Sequence, residues 1–470
     1  MRRKQILALT FFIYFLVFVL NDGFMALDEY WDGVTRYIPA QSSDFMSLVA
    51  PDDVKSPLQI MPMHAVAQLA LSLGVKSPYG QYRSVIFVLG LISILLLVFC
   101  FIKFSEVCKF SQNESHFLLL MLAFYFAAPF ALTRPMFEAV ASPWLTLAAV
   151  LALRYDFNEK ISDLLLGVFF VSIAFILRQQ LGFCALVFII LPALKKNLKH
   201  IIWAGALGLI FFVLAGMPDY FMRGKFHYSL INLTVYNYEH GSEYGNRSVF
   251  FYPVLICITA FTPFFVKKYP VNFTKNYIKK YRSLLMIVGL FIFLHSLFPQ
   301  KWERFVVSII PILIFLVFPF LYYLQQNFKQ HKIRLVSLYS LNGFLFIIAS
   351  FFPAQKNLIE MSRYLDQHPE IKKVYRVNNT PEWITEVFIL DKNFQFINAD
   401  NLKLTELDWS DCSHTLILSE TDVSRYTELT GRLKLNAVFN VNLIEQLAFK
   451  ANPKNNLRRI KLSLYSGCER

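Results

Sequence analysis

The sequence predicts an α-helical polytopic membrane protein with about eleven transmembrane helices, followed by a small C-terminal α/β domain outside the membrane. Three observations carry that reading. Of 470 residues, 56% are hydrophobic and only 17% charged, against roughly 25% charged in a soluble globular domain. Apolar runs recur that reach the roughly 18 uncharged residues a bilayer-spanning helix requires. After Phe352-Pro353 the composition turns polar and no further run could span. The chain therefore divides into residues 1–353 and 354–470.

Met1-Arg2-Arg3-Lys4 opens an apolar run to Leu20, and Asn21-Asp22-Gly23-Phe24 after it offers no small-residue cleavage site, so the segment reads as a retained first helix. The spans are expected near 5–21, 84–102, 116–132, 138–153, 163–177, 181–194, 201–216, 248–266, 283–299, 305–324 and 333–353. Residues 58–74 are apolar but contain Pro62, His64 and Gln68. They are expected to form a partly buried helix outside the bilayer.

An excess of 46 Lys and Arg over 32 Asp and Glu gives a net charge of +14. These cations lie in short loops between apolar runs, a pattern of membrane orientation rather than of nucleic-acid binding. With the N-terminus in the cytoplasm, 19 basic residues fall on inner segments and 11 on the outer loops before the last span. An odd number of spans then sets the tail outside the cytoplasm.

Within the tail, Leu358, Met361 and Leu365 have helical spacing over 357–367, Val374–Val377 and Thr415–Leu418 read as short strands, and 421–429 reads as helical. Of six cysteines, only Cys412 and Cys468 share the outer compartment on this map. A disulfide between them and two separate thiols both fit the sequence.

Four polar groups map to the outer ends of the spans. The first loop carries Asp22 and Asp28-Glu29-Tyr30-Trp31-Asp32; carboxylates at a membrane boundary are partly desolvated and suit a general base. The plain alternative is a solvated acidic loop with Tyr30 and Trp31 as interfacial anchors. A short turn holds Arg134 and Glu138, and another Arg178-Gln179-Gln180. Arginines at one depth could hold a phosphate through their planar donor forks, or could merely form surface ion pairs. The fourth group, Lys301-Trp302-Glu303-Arg304-Phe305, precedes a helix containing Pro311; its bland reading is cations anchoring a helix end. Few ionisable residues occur inside the helices, His295 being the clearest, whereas a transporter carries its polar groups near the midplane.

Together these residues resemble the GT-C superfamily of polyprenyl-phosphate-sugar-dependent glycosyltransferases, and most of all glycosyltransferase family 22, the mannosyltransferases. Asp28-Glu29 matches the acidic pair of the family's first outer loop, with Ala26-Leu27 in place of His-Pro. Lys301, Arg304 and Phe305 match its later His-Lys-Glu-x-Arg-Phe pattern, with Gln300 and Trp302 departing from it. The resemblance implies a GT-C-like hexosyltransferase that moves a sugar, mannose in the family, from a polyprenyl-phosphate donor to an acceptor hydroxyl with inversion. It implies Asp28 as general base beside Glu29, and Lys301 and Arg304 on the donor phosphate with Arg134 and Arg178. Glu138, Gln179 and Glu303 would support them. No cofactor and no metal is called for, since fixed cations can neutralise the leaving phosphate.

The implied partners are a polyprenyl-phosphate-linked sugar, a glycan or glycolipid acceptor and membrane lipid, with no nucleic acid. Short loops favour a bacterial inner membrane, with the endoplasmic reticulum membrane as the alternative. Competing readings are a lipid-linked glycan flippase or transporter, a transferase of a modified sugar or oligosaccharide onto lipid A or protein, and a structural membrane protein.

Overall fold

The computed structural model describes residues 2–26, 29–38, 54–241, 247–267, 269–298, 300–377, 388–389, 394–400, 402–453 and 456–468. It forms two compact units, one of residues Met1–Val19, Asp44–Val66 and Val85–Ser350, the other of Leu20–Ser43, Ala67–Ser84 and Phe351–Arg470.

The first unit is helical. Among the described residues seven helices are long and apolar enough to cross a membrane: Arg3–Leu20, Pro78–Val107, Phe137–Asn158, Leu198–Arg223, Val271–Leu297, Glu303–Gln326 and one beginning at Phe328. These cover seven of the eleven expected stretches. The other four are helical but short or interrupted. Residues 116–132 divide into Gln112–Phe124 and Ala128–Ala131, and 248–266 into Phe251–Thr259 and Thr262–Phe265. In both, a proline at the start of the second piece lacks the N–H needed to continue the first. Ile161–Leu177 has 17 residues, and 181–194 is a 3-10 stretch, Gln179–Leu186, continued by Val187–Leu194. Pro57–Ser72 has 16 residues, about 24 Å of helix against the roughly 30 Å of a hydrocarbon core.

Local chemistry explains these elements. Ser111 caps Gln112–Phe124 and Glu114 returns to the Ser111 N–H, a reciprocal capping box. Thr10 and Ser172 donate to the carbonyls of Ile6 and Val168, so hydroxyls inside apolar helices find local acceptors. Phe137–Asn158 is the most enclosed span. Ala139, Ala141, Ser142, Ala148, Ala149 and Ala152 are all buried, and small side chains allow the close backbone approach on which helix packing in lipid depends. By contrast, Leu198–Arg223 exposes Ile202, Trp203, Leu209 and Ile210, as a lipid-facing helix should.

The second unit is built on a five-stranded mixed sheet. Its strands are β1 (Lys373–Arg376), β2 (Gln395–Asn398), β3 (His414–Ser419), β4 (Lys434–Phe439) and β5 (Leu462–Ser466), in the order β2-β1-β3-β5-β4. β2, β1 and β3 are parallel, with Val374 opposite Phe396 and Thr415. β5 runs antiparallel to both β3 and β4. Alternation sends successive residues to opposite faces: Val374, Ile417 and Leu464 pack with Leu358, Met361 and Leu365 of helix Lys356–Gln367, while Tyr375, Leu416, Leu418 and Tyr465 pack with Leu429 and Leu433. Cys412 and Cys468 are bridged, with Cα atoms 5.4 Å apart.

This unit is not confined to the polar tail. The Phe24 N–H donates to the Ala354 carbonyl at 3.1 Å, and Phe24, Tyr79 and Tyr82 surround the Phe388 ring at centroid distances of 6.3, 5.8 and 5.4 Å. Gly23 lies so close to the Ala354 backbone that a Cβ would collide with it. The first outer loop thus folds with the tail, although more than 300 residues separate them along the chain.

Candidate active site

In the first unit the ends of three segments meet around one carboxylate. Glu138, buried in the first turn of Phe137–Asn158, forms ion pairs with Arg178 (Nη2 to Oε1, 3.1 Å) and Arg304 (Nε to Oε1, 3.4 Å). Both arginines precede or occupy a 3-10 stretch, Gln179–Leu186 for Arg178 and Glu303–Ile309 for Arg304. The tighter winding of a 3-10 turn re-aims side chains relative to the α-helix that follows. Ser308 Oγ donates to the Glu138 carbonyl at 3.2 Å, which fixes the second stretch against the carboxylate-bearing turn.

Aromatic faces complete the setting. The Arg178 guanidinium lies 4.5 Å from the centroid of the Phe305 ring, and that of Arg304 lies 5.3 Å from Phe305 and 5.7 Å from Trp302. Guanidinium over an aromatic face is an attractive arrangement that holds the planar fork in one orientation. His295 stacks on Phe291 at 3.9 Å and meets Phe305 edge-on at 5.8 Å. Tyr252 Oη accepts from the Trp302 backbone N–H at 3.2 Å.

The remaining predicted residues of this unit take distinct positions. Lys301 is buried and its ammonium donates to the carbonyls of Arg247 (3.2 Å) and Phe298, while burial lowers its pKa. Glu303 is exposed and pairs with Arg247. Arg134 is buried with its guanidinium 5.1 Å from the Phe130 centroid, and its expected turn partner Glu138 is instead within ion-pair distance of Arg178 and Arg304. Gln179 Nε2 donates to Ser229 Oγ at 3.2 Å, and Ser229 donates to Asp219 through both N–H (3.0 Å) and Oγ (2.6 Å). Asp219 also accepts from Arg223 at 2.9 Å. This buried chain steadies the turn that carries Arg178. Sequence reasoning missed it, and its one legible sign was the i,i+4 spacing of Asp219 and Arg223 at a span end.

In the second unit, Glu29 opens a π-helix, Glu29–Val34, and is fully buried. Its Oε1 accepts from Tyr82 Oη at 2.9 Å and its Oε2 from the Met25 N–H at 2.7 Å. Both oxygens are therefore engaged in holding the loop. Asp22 accepts from Tyr79 Oη at 2.6 Å. Asp28 lies outside the described residues. Among the described residues no three His, Cys, Asp or Glu side chains gather into a metal-binding group.

Residues 52–396 match the Alg9-like mannosyltransferase family. The chain belongs to that family. Arg134, Glu138, Arg178, Lys301 and Arg304 all fall within the matched stretch, whereas the acidic loop at 22–32 precedes it. In fold, this mannosyltransferase-family chain is similar to ArnT from Cupriavidus metallidurans. The match to ArnT bound to undecaprenyl phosphate has a TM-score of 0.62 at 10% identity, covering 99% of this chain and 97% of that one. The match to apo ArnT has a TM-score of 0.61 at 11% identity, with the same coverage. No curated protein matches in sequence. The chain is thus a multi-pass membrane glycosyltransferase with a GT-C fold.

Proposed function

We propose that this protein transfers a hexose, mannose as in its family, from a polyprenyl-phosphate donor to a glycan or glycolipid hydroxyl outside the cytoplasm, in the inner membrane of a bacterium. The observation that carries the reading is the convergence of Arg178 and Arg304 on Glu138. One carboxylate holds two guanidinium groups in fixed orientation at the ends of the spans, where the leaving phosphate of a lipid-linked sugar would lie. ArnT has been seen bound to undecaprenyl phosphate, which supports a polyprenyl-linked donor. The orientation, N-terminus inside and residues 354–470 outside, rests on the excess of basic residues in the inner loops.

The reaction is a single displacement. The acceptor oxygen attacks the anomeric carbon while the bond from that carbon to the phosphate oxygen breaks, which inverts the centre. The acceptor proton passes to the Asp28 carboxylate, and the polyprenyl phosphate leaves with the electron pair of the broken bond. Arg304 and Arg178 stabilise the charge growing on that phosphate. Glu138 orients them, Lys301 holds the loop before Arg304, and Arg134 supplements the field. Glu29, its oxygens occupied by Tyr82 and Met25, positions the segment that carries Asp28.

The test is transfer from a radiolabelled polyprenyl-phosphate mannose by purified protein. Asp28→Asn is expected to bind donor almost normally and to lose about 10² to 10⁴ in rate, whereas Arg304→Ala also weakens donor binding. Near wild-type transfer by Asp28→Asn moves the base elsewhere. Wild-type protein that transfers no sugar from any polyprenyl-phosphate donor defeats the whole reading.

A further inference from the structure

A second polar cleft, remote in function from the site above, opens at the other ends of the same spans. It encloses about 680 Å³ and is lined by Lys103, Glu106 and Lys109 from the end of Pro78–Val107 and the turn after it, by Arg154 and Phe157 from the end of Phe137–Asn158, and by Lys280. In the orientation proposed above this is the cytoplasmic end.

The charges in it do not balance. Lys103 pairs with Glu106 at 2.8 Å, and Arg154 with Asp163 at 3.3 Å. Lys280 donates only to a carbonyl, that of Cys108, at 3.1 Å and rests against the Phe110 ring. Lys109 adopts a left-handed backbone, φ 54°, which an L residue with a Cβ disfavours. Among the described residues neither Lys109 nor Lys280 has a carboxylate within ion-pair distance. The neighbouring charges satisfy one another: Asp156 takes Arg282, and Lys195 bridges Asp156 and Glu159. Glu114, on the next helix, is engaged by the Ser111 N–H at 2.8 Å. The cleft is left with two positive charges, on Lys109 and Lys280, beside an exposed apolar ring, Phe157.

We propose that this cleft binds the headgroup of an anionic phospholipid carrying two phosphodiester groups. Two unmatched cations match two phosphodiesters. The volume is far larger than one phosphate requires, and Phe157 offers the adjoining glycerol and first methylenes an apolar wall. Basic pockets between spanning helices at the inner leaflet are a recurrent means of holding such headgroups.

The experiment uses full-length protein, delipidated in detergent, with bisphosphatidylglycerol added back and retention read by native mass spectrometry. Wild type is expected to retain one such lipid in preference to phosphatidylglycerol. The double variant Lys109→Gln, Lys280→Gln is expected to bind it about twenty-five-fold more weakly, at roughly fivefold per lysine. Lys109→Gln alone, which removes no side-chain hydrogen bond among the described residues, is expected to lose about fivefold with an unchanged melting temperature. Lys329→Gln, Lys332→Gln serves as a matched loss of charge elsewhere and is expected to retain the lipid. Equal retention by wild type and the double variant, or an equal loss in the matched control, overturns the proposal. Binding of phosphatidylglycerol as tight as that of the two-phosphate lipid overturns the two-phosphate assignment. Displacement by inorganic pyrophosphate at equal concentration assigns the cleft to a soluble anion and overturns the lipid.

Discussion

Arg178 and Arg304, which lie 126 positions apart in the sequence, both pair with the single buried carboxylate of Glu138. The shared pairing keeps both planar guanidinium forks in one orientation.

Removing that carboxylate should therefore be costly in a particular way. Glu138→Gln leaves two oriented cations without their shared counter-charge, and stability is expected to fall by on the order of 3 kcal/mol. The double variant Glu138→Gln, Arg178→Gln is expected to recover part of the loss, because one cation goes with the carboxylate. Thermal unfolding of purified protein in detergent measures both.

Arg304→Lys keeps the charge but loses the planar fork and the aromatic contact. Donor KM is expected to rise roughly tenfold and kcat to fall about tenfold, because the fork serves both the bound donor and the charge growing on its phosphate, and Arg304→Ala to worsen both. Initial-rate kinetics with a polyprenyl-phosphate sugar separates the two parameters; an unchanged KM in both variants removes Arg304 from the donor site.

Tyr82→Phe deletes the donor to the buried Glu29 carboxylate. A loss of about 1 to 3 kcal/mol is expected, together with slower transfer, since the π-helix that begins at Glu29 is held through this bond. If the melting temperature stays at the wild-type value, the hydrogen bond contributes nothing to that loop.

The Cys412–Cys468 bridge spans a sequence separation of 56, and closing a loop of that length is worth roughly 4 kcal/mol in the chain-entropy account. Non-reducing mass spectrometry is expected to show one linked peptide pair, and Cys412→Ser to lower the melting temperature. Full alkylation of both thiols in native protein contradicts the bridge.

Glu445 gives a pH dependence. Burial raises its pKa above the ordinary 4.5, against smaller lowering contributions from the Gln355 N–H, Arg459 and others. Folding therefore favours the protonated acid, and the stabilisation present below pH 4.5 is lost as pH rises through the higher folded value. Glu445→Gln is expected to flatten that part of the stability profile, measured by thermal melts of the full chain from pH 4 upward.

Much of this molecule was legible in residue order alone. Hydrophobic length determined the membrane class, because lipid admits only segments that satisfy their own backbone. Period-two and period-three-to-four patterns located β1, β3 and helix Lys356–Gln367, because each of these elements buries its own sides. β2 and β4 escaped notice, since Gln395–Asn398 and Lys434–Phe439 are short and partly exposed and their pairing is decided by partners far away in sequence. Of the four expected spans that proved short or broken, two divide where a proline interrupts the backbone ladder. The sequence likewise indicated that Arg134, Glu138, Arg178 and Arg304 share one end of the spans, because chain reversals must lie there. It could not say that Glu138 would pair with Arg178 and Arg304, that Lys301 would be held by carbonyls, that Tyr82 would hold Glu29, or that the first loop would fold against Ala354. Those pairings depend on distances between segments, and only packing of the whole chain fixes such distances.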